Sequence, residues 1–75
     1  FNPATKIKFS LPENVFASLV VYDMLGREME TIVYEQLRAG NYEVNWNADN
    51  YSSGVYYYKL IAGDFTETKK LILVK

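Results

Sequence analysis

The 75-residue chain is long enough for one small domain, which at this size buries only about 60–65% of the surface that its unfolded form exposes. It contains neither cysteine nor histidine, which excludes disulfide bonds, thiolate chemistry and the commonest general base and transition-metal ligand. Eight basic and nine acidic residues give a net charge of −1 without a basic stripe, and no apolar run approaches the ~20 residues that span a bilayer, so we expect neither a nucleic-acid partner nor membrane insertion.

The first half of the chain predicts three strands. Apolar and polar residues alternate over residues 6–11 and again over 17–22, which is the period of strands with one buried face. A turn over residues 23–27 leads into a third strand, residues 28–35, which we expect to pair with the second. The apolar positions of this third strand break the strict alternation, which predicts a β-bulge. These positions are Met29, Ile32 and Val33.

The second half predicts three more strands. The fourth, residues 42–47, follows a turn at 39–41 and has the clearest alternation in the chain. A fifth strand over 55–61 and a last strand over about 65–74 are joined by a tight hairpin at residues 63–64. No window has convincing helical periodicity. Strands of this length, with a turn about every 8–12 residues, are typical of an all-β fold built as a small antiparallel β-sandwich of six to seven strands.

The expected core consists of the side chains on one face of each predicted strand. Burying them roughly offsets the entropy of ordering so short a chain. They are Ile7, Phe9, Leu19, Val21, Val44, Trp46, Tyr56, Tyr58, Leu60, Leu71 and Leu73.

Enzymatic machinery is hard to assemble from these residue types. A serine nucleophile would lack a histidine base, and the acids fall mostly in predicted turns or on solvated strand faces, where they are best explained as surface charge. Asn47, Asp49 and Asn50 offer oxygen ligands of the kind that calcium binds, but loop capping explains them better. We therefore expect no catalytic residue, no metal and no cofactor.

The seven tyrosines and one tryptophan are candidates for a sugar- or peptide-binding platform. Their in-phase spacing favours core and cross-strand packing instead. Tyr57 lies on the face opposite Tyr56 and Tyr58, and is the tyrosine that we expect to be exposed.

The run over residues 71–74 is apolar on both faces of the predicted last strand. One explanation is a strand that is covered on both sides, for example by a neighbouring domain. Another is a strand whose outer face or edge receives a partner by β-augmentation or dimerisation. Periodicity alone leaves both open. If the run is exposed, Lys69, Lys70 and Lys75 act as gatekeepers against aggregation.

Five short stretches, distributed along the chain from residue 2 to residue 75, carry a resemblance. They are NPATKI (2–7), VYDMLGRE (21–28), AG (39–40), SGVYYY (53–58) and KKLILVK (69–75). In this order and spacing they resemble the type A C-terminal sorting domain of the type IX (Por) secretion system, a large bacterial family. That family is similar to the immunoglobulin-like module of the flagellar hook-capping protein, so the resemblance implies an immunoglobulin-like sandwich.

The resemblance also implies a function, namely a non-catalytic signal that directs a passenger protein through the secretion translocon to the outer-membrane surface or the exterior. The implied partners are the translocon, a sorting peptidase and an N-terminal passenger domain. Residues 1–75 are then expected to be one domain at the C-terminal end of a larger secreted protein. A turn role for Gly54 and a core role for Tyr56 explain those two residues equally well. The signal residues carried over are Gly54, Tyr56, Lys69, Lys70, Leu71, Val74 and Lys75.

Two other function classes remain open at this point. The domain could be a structural accessory module that packs against a neighbouring domain, as in the hook-capping protein. It could also bind carbohydrate through exposed tyrosines, and Tyr57 is then the residue to test.

Overall fold

The computed structural model describes residues 3–75, and every regular element in that range is a β-strand. The predicted all-β fold is therefore confirmed. Every second side chain of β1 and β5 turns toward the interior, as the alternation of the sequence predicted. The six strands are β1 (Ala4–Leu11), β2 (Val15–Asp23), β3 (Glu28–Leu37), β4 (Gly40–Asn47), β5 (Gly54–Ala62) and β6 (Phe65–Leu73).

The strands form two antiparallel sheets. β1 and β4 make a two-stranded sheet, with Ile7 opposite Val44. The other four make a sheet in the order β3-β2-β5-β6, so the predicted pairing of the second and third strands is confirmed and β6 stands at the end of the strand order. Buried side chains from both sheets form one cluster, which makes the domain a small sandwich.

The pairing of β2 with β3 is irregular at the positions that the sequence indicated. The register shifts between Leu19 and Val20, and again between Val21 and Tyr22. The partners of these residues skip Ile32 at the first shift and Met29 at the second. The predicted bulge is therefore confirmed, and it occurs twice. Each extra residue bends β3 locally, which is how a strand without strict alternation can still cover the core.

The core lies between the two sheets and contains the side chains predicted for it. Nine of the eleven are buried, and the other two, Val44 and Leu71, are half-buried against the same cluster. The cluster also includes residues that the prediction left out, because strand ends and small side chains give a weak periodic signal. These are Leu11, Ala17, Val33, Ala48 and Ala62.

A tight turn joins β2 to β3, and Asp23 holds it. The N–H of Gly26 donates to the Asp23 carbonyl (3.0 Å), and the N–H of Asp23 donates to the Arg27 carbonyl (3.0 Å). The Asp23 carboxylate accepts the N–H groups of Leu25 and Arg27, each at 2.9 Å, and Nε of Arg27 at 2.6 Å. Chiefly because of the Arg27 N–H, the pKa of Asp23 lies below its ordinary 3.8, although burial of the carboxyl opposes this shift.

The first five strands extend one or two residues beyond the ranges predicted from the sequence. The turn predicted at residues 39–41 lies earlier, because Gly40 already pairs with Leu11 and Asn41 with Ser10. Asn41 also accepts the Ser10 hydroxyl at 2.6 Å. Pairing with a distant strand thus outweighs the preference of these residue types for turns. β6 ends at Leu73, one residue before the predicted end.

Candidate functional site

The candidate site is the last hairpin, which we define as β5, β6 and the two residues that follow, 54–75. Its strands pair in register from Gly54 opposite Leu73 to Ala62 opposite Phe65. The connection is the predicted two-residue turn, with Gly63 at φ 62°. A positive φ at the first central residue only is the geometry of a type II′ turn, whose twist matches that of the flanking strands.

The apolar run at the end of β6 divides between the two faces of the sheet. Leu73 is 1% exposed in the core, and Leu71 is half-buried beside it. Ile72 and Val74, which alternate with them, are 52% and 58% exposed. This domain covers one face of the run, and both explanations that periodicity left open, a neighbouring domain over the outer face and a partner strand, remain predictions. One face completes the core, and the other is available at the surface.

Three lysines surround this run. Lys69 stands opposite Tyr58 and Lys70 opposite Tyr57, and both lysines are exposed. Burial raises the pKa of Tyr58 above its ordinary value, and the positive charge of Lys69 partly opposes that increase. Lys69 and Lys70 are neighbours in β6 and so project from opposite faces of the sheet, immediately before the apolar residues.

Lys75 is fastened to the loop between β4 and β5. Its side-chain ammonium donates a hydrogen bond to the Asp49 carbonyl at 2.6 Å, and its backbone N–H donates to Oγ of Ser53 at 3.1 Å. The ammonium is charged, so the first of these is a strong class of hydrogen bond. Segments that follow the last strand of a domain are usually poorly ordered unless something holds them. Here these two bonds hold Lys75, and Val74 with it, against the sandwich.

The loop that receives Lys75 is itself held by aromatic side chains. The hydroxyl of Tyr56 donates to the Ser52 carbonyl at 2.6 Å, and the N–H of Tyr51 donates to the Ala48 carbonyl at 3.0 Å. The rings of Trp46, Tyr51 and Tyr56 lie within 5.7–6.0 Å of one another, centroid to centroid. Packing of this aromatic cluster against the loop restrains the conformation of the loop.

Glu30 accepts hydrogen bonds from two members of the aromatic cluster. One carboxylate oxygen accepts both Nε1 of Trp46 at 3.2 Å and the Tyr51 hydroxyl at 3.0 Å. Burial is the main cause that raises the pKa of Tyr51, and the hydrogen bond to Glu30 and its negative charge add to the effect. Glu30 thus ties β3 to the β4–β5 loop.

Gly54 and Tyr56 have structural roles in this arrangement. Tyr56 is 7% exposed, and both its ring and its hydroxyl are engaged within the fold. Gly54 has φ 154°, a conformation that side-chain-bearing residues rarely adopt, and a Cβ there would meet no other atom within 4 Å. The positive φ of residue 54, and not a close contact that would exclude a Cβ, therefore explains the glycine at the start of β5.

The structure brings together most of the residues singled out in the sequence. Gly54 pairs with Leu73, and Tyr56 with Leu71, while Lys75 contacts the loop that precedes them. Lys69 and Lys70 lie farther along β6 toward the hairpin turn. The candidate residues thus divide into a buried set that builds the hairpin and an exposed set along β6 and just beyond it.

Sequence reasoning missed a groove beside this site. It is an open depression of about 340 Å³ between the β2–β3 turn and the start of β5. Asp23 is the one buried acid among the described residues, although we had grouped the acids as surface charge. Exposed apolar residues at the turn, Met24 and Leu25, were the only available signal. The lining is formed by Asp23, Met24, Leu25, Arg27 and residues 53–56.

Other chemistry finds little support in the part of the chain that the structure describes. Residues 3–75 hold no group of three or more acidic side chains that could share a metal ion. They also contain no helix long and apolar enough to cross a membrane. Tyr57, expected to be exposed, is half-buried. Tyr34 is the exposed tyrosine at 71%, and its ring meets that of Phe16 edge to face.

Comparison with known protein families gave a match over nearly the whole chain. The sequence profile of a family described as "Secretion system C-terminal sorting domain" matches residues 2–75. Asn2, where the match and the first of the five stretches begin, lies outside the described residues. No curated protein matches the chain.

Proposed function

The chain belongs to the family of secretion system C-terminal sorting domains, and on that premise we propose that it directs an attached passenger protein through the type IX secretion system. The observation that carries the proposal is the family match over residues 2–75, which includes the last hairpin and all five motif stretches. The family is one of sorting signals and not of enzymes. Its members are exported, so this protein is destined for the cell surface or the exterior.

Several finer features of this proposal stay predictions. The 75 residues act as one domain that follows an N-terminal passenger within a larger protein. The partners are the translocon and a sorting peptidase, and the exported passenger is delivered to the outer-membrane surface. The relation to the hook-capping module, and the absence of any catalytic activity, likewise remain to be tested.

The exposed residues of the last hairpin are the ones that we assign to partner recognition. Lys69, Lys70, Val74 and Lys75 are all exposed, and two hydrogen bonds join Lys75, the neighbour of Val74, to the β4–β5 loop. A fixed group of exposed side chains binds with a smaller loss of conformational entropy than a mobile tail does. We assign Gly54, Tyr56 and Leu71 to building the hairpin that presents them.

The position of β6 suggests how a partner would bind. β6 is the last strand in the order β3-β2-β5-β6, and strand edges are where extended segments of other chains add to a sheet. Residues 69–75 include three lysines and no acidic residue. We therefore expect the partner surface to carry carboxylates. Addition of a strand to β6, from the translocon or from a second copy, is the binding mode that we propose.

The test is export of a reporter that carries the complete 75-residue chain at its C-terminus, in a bacterium with a type IX system. Lys69, Lys70 and Lys75 are changed to glutamine together, because these side chains are exposed and the change leaves the core intact. We expect the reporter to accumulate in the periplasm instead of reaching the surface. Deleting the last strand would be a poorer test, since it also removes Leu73 from the core.

Lys6 and Lys8 provide a matched control. Both lie on β1 in the opposite sheet, with side chains 64% and 76% exposed, and both face Glu43 in ion pairs at 3.5 and 3.8 Å. Changing them to glutamine alters the charge in the same direction, and exposed ion pairs of this kind contribute little to stability. The control should export normally. Normal export of the triple variant would reject the signal assignment and favour an accessory module that packs against a neighbouring domain.

A further inference from the structure

The turn between β2 and β3 exposes two large apolar side chains. Met24 is 65% exposed, and Leu25, at 77%, is the most exposed large apolar residue in residues 3–75. Corner positions of turns normally carry small or polar residues. The hydrogen bonds of this turn come from Asp23, Gly26, Arg27 and backbone groups, so the two apolar side chains are not what holds it. An exposed apolar pair without a role in folding indicates a contact surface.

This turn lies at the same end of the sandwich as the residues that follow β6. Asp23, just before the apolar pair, stands opposite Tyr56 in the β2–β5 pairing. Gly54, two residues earlier on β5, stands opposite Leu73, and Ser53 accepts the backbone N–H of Lys75. The strand order therefore brings a turn from the middle of the sequence to the same end of the sandwich as the last residues, with the start of β5 between them.

The groove described above separates these two features and has apolar walls. Met24 and Leu25 border one side, and residues 53–55 border the other. Gly54 belongs to this lining, and a Cβ at that position would meet no other atom within 4 Å. At about 340 Å³ it lies at the small end of the range of about 300–1,000 Å³ found for ligand pockets, which suits one or two side chains of a partner protein.

Arg27 is the basic residue in the lining of the groove, and two lysines lie along β6 and just beyond it. Arg27 has a side chain that is 72% exposed, while Asp23, its acidic partner, is only 12% exposed. Lys70 and Lys75 flank the exposed Val74 and the end of β6. The surface at this end therefore combines apolar side chains with a positive rim, which is complementary to an apolar patch bordered by carboxylates.

We infer that the β2–β3 turn and the residues after β6 form one continuous docking surface for a component of the secretion machinery. The partner places an apolar side chain in the groove between Leu25 and Gly54, and its carboxylates face Arg27, Lys70 and Lys75. This inference rests on the proposed function and adds the turn to it. Recognition then depends on the folded domain, since the turn and Lys75 are neighbours only after the β-sheet has formed.

The experiment compares two polar variants that have the same kind of change at opposite ends of the sandwich. Met24→Gln combined with Leu25→Gln alters the turn, and Tyr34→Gln alters an equally exposed residue at the other end, where it meets Phe16. Each is made in the reporter fusion with the complete 75-residue chain. We expect the turn variant to lower surface delivery and the affinity for the partner by about tenfold or more, the loss that follows from removing one buried apolar contact. The Tyr34 variant should behave as wild type.

A photo-crosslinking residue gives an independent readout. Placed at position 25 and, in a separate protein, at position 74, it should form an adduct with the same component of the secretion machinery. The same group at position 34 should not. Thermal unfolding of each variant confirms that the domain is folded, which we expect because all three altered side chains are exposed.

The outcomes separate this inference from the proposed function. If the turn variant exports normally while the triple lysine variant does not, the turn plays no part in docking and the proposed function still stands. If both variants export normally, this inference and the proposed function are both overturned. Dimerisation of the domain through the turn would place a second copy in the groove and would overturn the inference. Flotation with anionic lipid vesicles that Leu25→Gln abolishes, while export is unchanged, would place lipid in the groove and would also overturn it.

Discussion

Replacing Leu73 with alanine tests how far the last strand supports the fold, apart from any role in export. Leu73 is 1% exposed and belongs to the core cluster between the sheets. Leucine-to-alanine changes at such sites remove the buried methyl groups and leave a cavity, at a cost of about 3 kcal/mol or more. A domain of this length has a total unfolding free energy of only about 4–11 kcal/mol. The variant should therefore lose a large share of its stability.

The assay is urea unfolding of the 75-residue chain, followed by tryptophan fluorescence because Trp46 lies in the same core. A loss of about 3 kcal/mol corresponds to a fall in Tm of about 12–24 °C in a domain of this size. Val74→Ala is the matched control, since Val74 is the next residue and is 58% exposed. It should change the unfolding free energy by no more than about 0.5 kcal/mol.

Two results would refute this reasoning. If Leu73→Ala unfolds within about 1 kcal/mol of wild type, the last strand contributes less to the core than its burial implies. If Val74→Ala is as destabilising as Leu73→Ala, the division of β6 into a core face and a surface face is wrong. In the reporter assay, Val74→Ala should reduce export without a change in Tm, whereas Leu73→Ala should reduce both.

Two further predictions concern turns. Gly63→Ala should destabilise the domain by about 1–2 kcal/mol in urea unfolding, because φ is 62° and the added Cβ would lie 3.0 Å from Cγ2 of Val15; a variant as stable as wild type would contradict the type II′ turn. The lowered pKa of Asp23 means that the ionised carboxylate favours folding above its unfolded pKa, and that this contribution disappears as the pH falls through the folded pKa. Asp23→Asn should therefore lower the urea midpoint at about pH 7, and its difference from wild type should shrink toward about pH 2. If the urea midpoints of Asp23→Asn and wild type differ equally at both pH values, the ionisation of Asp23 does not contribute to stability.

The local structure of this protein follows from patterns that are readable in its sequence. Alternation of apolar and polar residues specifies which face of a strand is buried, and it correctly placed side chains such as Ile7, Trp46 and Leu60 in the core. Met29 and Ile32 broke that alternation, and the β2–β3 register shifts at the same two positions. These signals are readable because each depends on neighbours within a few residues along the chain.

The family motifs were also readable, since they are local stretches in a fixed order, and the family match over residues 2–75 confirmed them. They do not say which of their residues contact a partner. Burial divides them, with Tyr56 inside an aromatic cluster and Lys69 on the surface. The half-burial of Tyr57 likewise depends on the side chains around it and not on its own position in the alternation.

Which strands pair with each other depends on the tertiary structure. Alternation gives the face of a strand but not its partner, so nothing local places β1 beside β4 or orders the other sheet as β3-β2-β5-β6. That arrangement buries Asp23, brings Lys75 to the Asp49 carbonyl and places Leu25 and Gly54 on opposite sides of one groove. Each of these features depends on residues distant in sequence, and it exists only because packing the two sheets together fixes all the strands at once.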